Sequence, residues 1–410
     1  MKRLDIWPKL PIVVHVDDWA NCQLPSATDV ISVLERRDQV CKIFISVTAV
    51  ALHPLLKDLA MTSEPFPALI ELELASFGGN PPILPDSFLG GSAPRLQSLF
   101  FNGIPFPGIR KLLLSTRDLV TLTLGFTVGF IRDSGYVSPE AMVDILSILT
   151  RLKSFQVHLS PQRHTHGPSQ HPPVLTRVII PTLTTFGFSG HSKYLGDMVS
   201  RIDAPLDCIN LQLMVTLSDQ DRLAFDVPPL RDFIWRTKLL NALHRADTSF
   251  SDHKSRISLF QRKGDIDFKV FDLEIPFFDS SSRVVTFAQA CSSLLLPLHS
   301  LEHLSIDKPD IGRWDLRGQN EVGAPQWMEL LRLFIAVKNL VLDEQALLSV
   351  ASALQELVGE RVMEVLPALQ NILLESSPPS GPVPECIGKF IAARELSGHP
   401  VVVRHQETKV

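Results

Sequence analysis

Apolar positions along the chain fall into a six-residue phrase, L-x-x-L-x-L, with an aliphatic or aromatic residue in each L position. The phrase stands at Val40-Ile43-Ile45, Leu69-Leu72-Leu74, Leu96-Leu99-Phe101, Leu119-Leu122-Leu124, Leu152-Phe155-Val157, Leu183-Phe186-Phe188 and Leu206-Ile209-Leu211. After a weak copy at Leu240-Leu243 it resumes at Phe268-Phe271-Leu273, Leu301-Leu304-Ile306, Val337-Leu340-Leu342 and Leu369-Ile372-Leu374. Successive first positions lie 23 to 36 residues apart. A period near thirty, held across about twelve copies, predicts a solenoid. The last two L positions are two residues apart, so on a strand they share one face while the residues between them occupy the other. One such strand cannot bury its apolar side alone; parallel stacking of copies, with the return segments as a second wall, closes the core.

The return segments read as helical in several places. In SPEAMVDILSILT, Ser138 suits an N-cap and Pro139 the first helical position, and Met142, Ile145, Leu146 and Leu149 fall on one helical stripe. Leu347, Val350, Ala351, Leu354 and Val358 repeat that stripe before the last strand. The predicted class is therefore α/β: a leucine-rich-repeat solenoid with a curved parallel sheet and helical or irregular returns, over residues 1–376. It is least regular at 213–263, where the polar runs SDQD and SDHK point to an insertion or a distorted repeat. SSPPSGPVP at 376–384 introduces the remainder, 377–410, a linker and a C-terminal capping helix with Ile387, Phe390 and Ile391 on its apolar side. The alternative is a doubly wound α/β enzyme such as a hydrolase. That fold has no reason to reuse a fixed phrase, and it usually carries a glycine-rich turn after its first strand.

Composition narrows the partners. The 410 residues are 45% hydrophobic, enough for a large core, and 39 basic against 44 acidic side chains leave a net charge of -5. No global field draws such a chain to nucleic acid or anionic lipid. The five cysteines are Cys22, Cys41, Cys208, Cys291 and Cys386; their spacing gives no C-x-x-C pair and reads as reduced thiols of a cytoplasmic or nuclear protein. No apolar run reaches membrane-spanning length, and Asp5, Pro8 and Lys9 break the start of the chain against a signal peptide.

Candidate chemistry is thin. His164, His166 and His171 crowd the segment QRHTHGPSQH, but its prolines and glycine read as a solvated loop with no further ligand, so no metal is expected. FLGGSAP at 88–94 lacks the lysine and hydroxyl of a phosphate loop and leads into a strand. Neither G-x-S-x-G nor H-E-x-x-H occurs. Neither catalytic residues nor a cofactor are expected.

The stretches LDIWPKLPIVV (4–14), LPDSFLGGSAPRLQSLFFNGIPFPGIRKLLLS (84–115) and ALQELVGERVMEVLPALQNILLE (353–375) resemble the irregular leucine-rich repeats of the expanded F-box-like families of mushroom-forming fungi. GKFIAARELSGHPV, SPEAMVDILSILTRLKSF and SRIDAPL extend the resemblance over nearly the whole chain. It implies the substrate-binding region of a ubiquitin-ligase receptor, whose F-box grips a Skp-type adaptor while the repeats hold a target. Here MKRLDIWPKLP stands where the family's repeats begin, so the adaptor-binding F-box is expected to be absent and adaptor binding to require an upstream F-box. A stand-alone structural or decoy repeat protein is the other non-enzymatic alternative.

With the L positions inward, the residues around them form the concave face. Taken without the weak copy, that face has thirty-three positions, one basic and seven acidic, which suits a protein or peptide better than a polyphosphate. The candidate binding residues on it are Glu71, Glu73, Phe100, Asn102, Gln156, His158, Asn210, His303, Asp307, Asp343 and Glu375. The expected partner is a protein or peptide bound by a monomer, with neither nucleic acid nor membrane involved.

Overall fold

The computed structural model describes residues 10–17, 27–60, 64–80, 83–85, 88–105, 109–126, 137–159, 177–203, 210–217, 227–237, 240–251, 253–276, 283–307, 323–357, 359–375 and 385–406. The chain divides into two compact units, Met1–Cys208 and Ile209–Val410. Both are mixed α/β arrays of the leucine-rich-repeat kind.

The first unit runs β1 (Ile12–Asp17), α1 (Ala27–Leu34), β2 (Val40–Thr48), α2 (Ala49–Ala60), β3 (Glu71–Phe77), β4 (Ser98–Asn102), α3 (Arg110–Ser115), β5 (Thr121–Phe126), α4 (Pro139–Leu146), β6 (Ser154–Leu159), β7 (Val178–Ile179), β8 (Thr185–His191), α5 (Ser192–Val199) and β9 (Ile202–Asp203). Strands β1 to β6 and β8 pair in parallel, each with the next, while β7 and β9 form a separate small pair. The repeat phrase sets the register. Val14, Ile43, Leu72, Leu99, Leu122, Phe155 and Phe186 make one continuous row across the sheet, and Val16, Ile45, Leu74, Phe101, Leu124, Val157 and Phe188 make the second. All fourteen are buried. Each strand thus fills the space its neighbour leaves, which is how repeats that are unstable singly become stable in a stack. Helix α4 begins as its sequence dictates: the Ser138 hydroxyl accepts from the Ala141 amide at 3.2 Å, and Met142, Ile145, Leu146 and Leu149 face the core. FLGG at 88–91 is a tight turn in which Leu89 and Gly90 take left-handed backbone angles, φ 55° and 63°.

The second unit runs β10 (Asn210–Thr216), α6 (Pro228–Arg236), β11 (Leu243–Phe250), β12 (Lys254–Lys263), β13 (Ile266–Pro276), α7 (Arg283–Ser293), β14 (His303–Asp307), α8 (Ala324–Leu331), β15 (Asn339–Asp343), α9 (Glu344–Gln355), β16 (Asn371–Glu375), α10 (Glu385–Leu396) and β17 (Val402–Gln406). Its spatial order is β10-β13-β12-β11-β14-β15-β16-β17. Among the described strands of this unit only β12 runs against its neighbours, being antiparallel to both β11 and β13. The inward rows continue through it, with Leu304, Leu340 and Ile372 in one and Ile306, Leu342 and Leu374 in the other. Helix α9 starts at Asp343, whose carboxylate accepts from the Ala346 amide. Leu347, Val350, Ala351 and Leu354 of its stripe are buried; Val358 lies outside the described residues.

Two expected positions change. Phe268, placed inward by the phrase, is 46% exposed, and Val270, placed outward, is 3% exposed. A register shift opposite Leu259 and Phe260 puts Val270 and Phe271 both toward the core and resets the alternation on the hairpin side of β13.

Candidate protein-binding face

In β3, β4, β15 and β16 the side chains between the L positions stand half exposed while those in the L positions are covered; in β14 the intervening Ser305 is buried. The candidate residues occupy these outward positions in the first unit. Along its parallel strands the outward residues align into three rows: Lys42, Glu71, Ser98, Thr121, Ser154 and Thr185; Phe44, Glu73, Phe100, Thr123, Gln156 and Gly187; Ser46, Ala75, Asn102, Gly125, His158 and Ser189. Glu71 pairs with Lys42 at 2.7 Å, and that hydrogen bond raises the lysine's pKa. Glu73 is beside Phe100, and Ala75 beside Asn102. Gln156 and His158 lie two strands further on. Asn102 and Gln156 each lean over a glycine on the following strand. A Cβ at Gly125 would meet Asn102 Oδ1 at 2.6 Å, and one at Gly187 would meet Gln156 Cγ at 2.9 Å. The two glycines therefore set how the amides lie on the sheet.

In the second unit His303, Asp307, Asp343 and Glu375 come together on consecutive strands β14, β15 and β16. Asn210 does not join them: β13, β12 and β11 separate β10 from β14. Asp307 accepts from the Ser305 hydroxyl at 3.1 Å. Burial, followed by the charges of Asp343, Glu375 and Asp247, pushes its pKa above the ordinary aspartate value. His303 lies edge-on to His244, ring centres 5.9 Å apart. Burial and the neighbouring His244 and Arg262 hold its imidazole below the usual histidine range. Its Nδ1 accepts from Asn339 Nδ2 at 3.3 Å, and Asn339 Oδ1 accepts from Asn371 Nδ2 at 2.9 Å. A polar ladder thus crosses three strands.

The inserted strands alter the charge of this face. Arg256 grips Asp272 with two hydrogen bonds of 2.8 and 2.6 Å, Ser258 adds a third at 2.8 Å, and Lys269 stands 3.2 Å away. These partners outweigh the burial that opposes them and keep the Asp272 pKa below its ordinary value. Arg245 holds Asp247 at 2.7 and 3.0 Å, and Lys254 reaches Glu274 at 3.0 Å. A face expected to carry one cation therefore carries several, and Arg245, Lys254 and Arg256 are each matched to a carboxylate. The sequence reading missed them because it skipped the weak copy. The inward residues of β11 opposite Leu304 and Ile306 are Ala246 and Thr248, not leucines. The signal that was present is the alternation of Arg256 and Ser258 with Ile257 and Leu259, ending in the turn KGD.

The histidines His164, His166 and His171 lie outside the described residues. Among the described residues no group of three or more His, Cys, Asp or Glu could hold a metal, and no helix is long and apolar enough to cross a membrane. Burial pushes the Cys291 thiol up to about 12, and Cys41 is half-buried.

No family model matches the chain. No curated protein matches it either. Among solved structures, the leucine-rich repeat-containing protein LegL7 from Legionella pneumophila is similar to it at 13% identity, over 96% of this chain and 99% of that one, with a TM-score of 0.30.

Proposed function

We propose that the chain is a protein-recognition scaffold that binds through the outward faces of its strands and catalyses no reaction. The observation that carries this reading is the row structure itself. Side chains at fixed spacing on a hydrogen-bonded sheet are held by their neighbours, as Asn339 is by His303 and Asn371, or fill the space a neighbour leaves, as Asn102 does over Gly125. Side chains ordered before binding lose little further entropy when a partner arrives. The rows mix carboxylates, amides, hydroxyls and a few aromatic rings, a chemistry suited to a protein or peptide.

The finer reading, supported by the sequence resemblance, is the substrate-binding repeat region of an F-box-type ubiquitin-ligase receptor acting in the cytoplasm or nucleus as a monomer. A stand-alone repeat protein that never meets a ligase is the competing reading. The test is affinity capture with four baits: the chain, its Thr123→Arg and Val341→Arg variants, and Asp144→Lys on the exposed side of α4 as a control. Partners lost with either outward variant and kept with the control support the scaffold. Equal retention by all four overturns it. Capture of a Skp-type adaptor by the full-length gene product, through an F-box, supports the receptor reading; its absence there leaves the stand-alone scaffold.

A further inference from the structure

Three outward rows cross β14, β15 and β16, and their chemistry changes in one direction. The first is His303, Asn339 and Asn371; the second is Ser305, Val341 and Leu373. In the third, Asp343 is paired with Glu375, and Asp307 directly follows Ile306, the partner of Leu342. Val341 and Leu373 are half-buried and border an open depression of about 190 Å³, with Arg262 and Asp267 from the β12–β13 hairpin also on its lining. Glu375 lines the same depression. The neighbouring cations are matched locally, Arg245 of β11 to Asp247 at 2.7 Å and Arg262 of the hairpin to Asp267 at 3.3 Å. Among the described residues, neither Asp307 nor Glu375 has a lysine or arginine within ion-pair distance. Across β14 to β16 the face is thus apolar in one row and acidic in the next, and on β17 the exposed Arg404 borders the apolar row opposite Leu373.

Successive rows lie two residues apart along the strands, roughly 6.5 to 7 Å. An extended peptide presents alternate side chains to one side with that same repeat. Laid along the strands, it matches all three rows at once. An apolar side chain over Val341 and Leu373 leaves water, and a cation two residues away meets carboxylates that otherwise repel one another. Asn339 and Asn371 each spend one amide hydrogen on the ladder and keep a second for a peptide carbonyl. An acidic occupant would add to the repulsion already acting on Asp307.

We infer that the outward face of β14–β16 receives an extended segment of a partner protein carrying an apolar side chain and, two residues from it, a lysine or arginine. This rests on the scaffold reading and specifies its ligand in the second unit. The experiment is a nonapeptide array with leucine fixed at the centre and Lys, Arg, Asp, Glu or Ala at each other position, probed with the purified chain. The best sequence is then titrated by fluorescence anisotropy against the chain, Asp307→Asn/Glu375→Gln, Asp307→Lys/Glu375→Lys and Thr123→Arg. Selection of Lys or Arg two positions from leucine is expected, with binding that weakens from about 50 to about 500 mM salt. The neutral double variant should bind on the order of tenfold more weakly, and the charge-reversed one should select Asp or Glu. The near-isosteric neutral pair carries the test if charge reversal impairs folding. An array indifferent to charge, or a neutral variant that binds unchanged, overturns the inference. Partners lost only with Thr123→Arg would do the same while leaving the scaffold standing; captured partners unaffected by any outward variant would sink the scaffold itself.

Discussion

Leu122 and Thr123 are neighbours in β5 with opposite fates, the first fully buried and the second half exposed on the outward face. Leu122→Ala leaves a cavity between two strands and is expected to cost ~2 to 5 kcal/mol in chemical denaturation, whereas Thr123→Ala should cost little. Equal losses would mean the two faces are misassigned. Asp307 makes a second, pH-dependent case. Its folded pKa lies above the unfolded one, so the stability linked to its proton is fully present below the unfolded value and is lost as pH rises through the folded value. Asp307→Asn should therefore raise the melting temperature at neutral pH, and the gain should shrink as pH is lowered through the aspartate range. A gain that persists unchanged in acid would show that charge is not the cause. At this scale the sequence was informative wherever an L position held a large apolar residue, since burial follows from period alone. It was silent on pairs such as Arg256 with Asp272, because which charges meet depends on strand order.

Among the elements, the strands that escaped the phrase did so for stated reasons. In β1 the position equivalent to the first L is Pro11, and in β17 it is Pro400, while His405 takes the last inward slot opposite Leu374. In β11 Ala246 and Thr248 fill the inward slots; Thr248 satisfies its hydroxyl by donating to the Ser305 carbonyl at 3.0 Å. Each of these strands also pairs its backbone with a neighbouring strand, a contribution that hydrophobic period does not register. Helix α10 shows a different kind of anchor. Arg394, 1% exposed, donates to the carbonyls of Pro367 and Leu369 at 3.2 and 2.9 Å and to Met363 Sδ at 2.8 Å. It closes the chain turn before β16, and burial lowers its pKa. Arg394→Met keeps much of the volume and loses the carbonyl contacts; a loss of about 2 kcal/mol is expected in thermal or urea unfolding. An unchanged transition would show that α10 is held by Ile387 and Phe390 alone.

Across the whole molecule, a stack of repeats transmits damage to its nearest neighbours first. Leu340→Ala, between Leu304 and Ile372, should raise amide exchange in β14, β15 and β16 well before β10 and β13. Uniform acceleration throughout the second unit would show that it unfolds as one block. The same locality explains why fold class could be read from the sequence and the chemistry of the candidate face only in outline. A repeat phrase specifies which side of every strand is covered, while the chemistry of the other side depends on which strands stand together.

The insertion in the second unit brings its extra strands as a pair. Strands β11 and β12 run in opposite directions, so β13 beyond them points the same way as β10 and β14. Two added strands conserve the polarity of the sheet; one would have reversed it. A chain without residues 241–264 would still present Phe271 and Leu273 in the direction that Leu304 and Ile306 require of a neighbour. The array can therefore be widened or narrowed at this point by a whole hairpin, changing the breadth of its outward face without rewriting the repeats on either side.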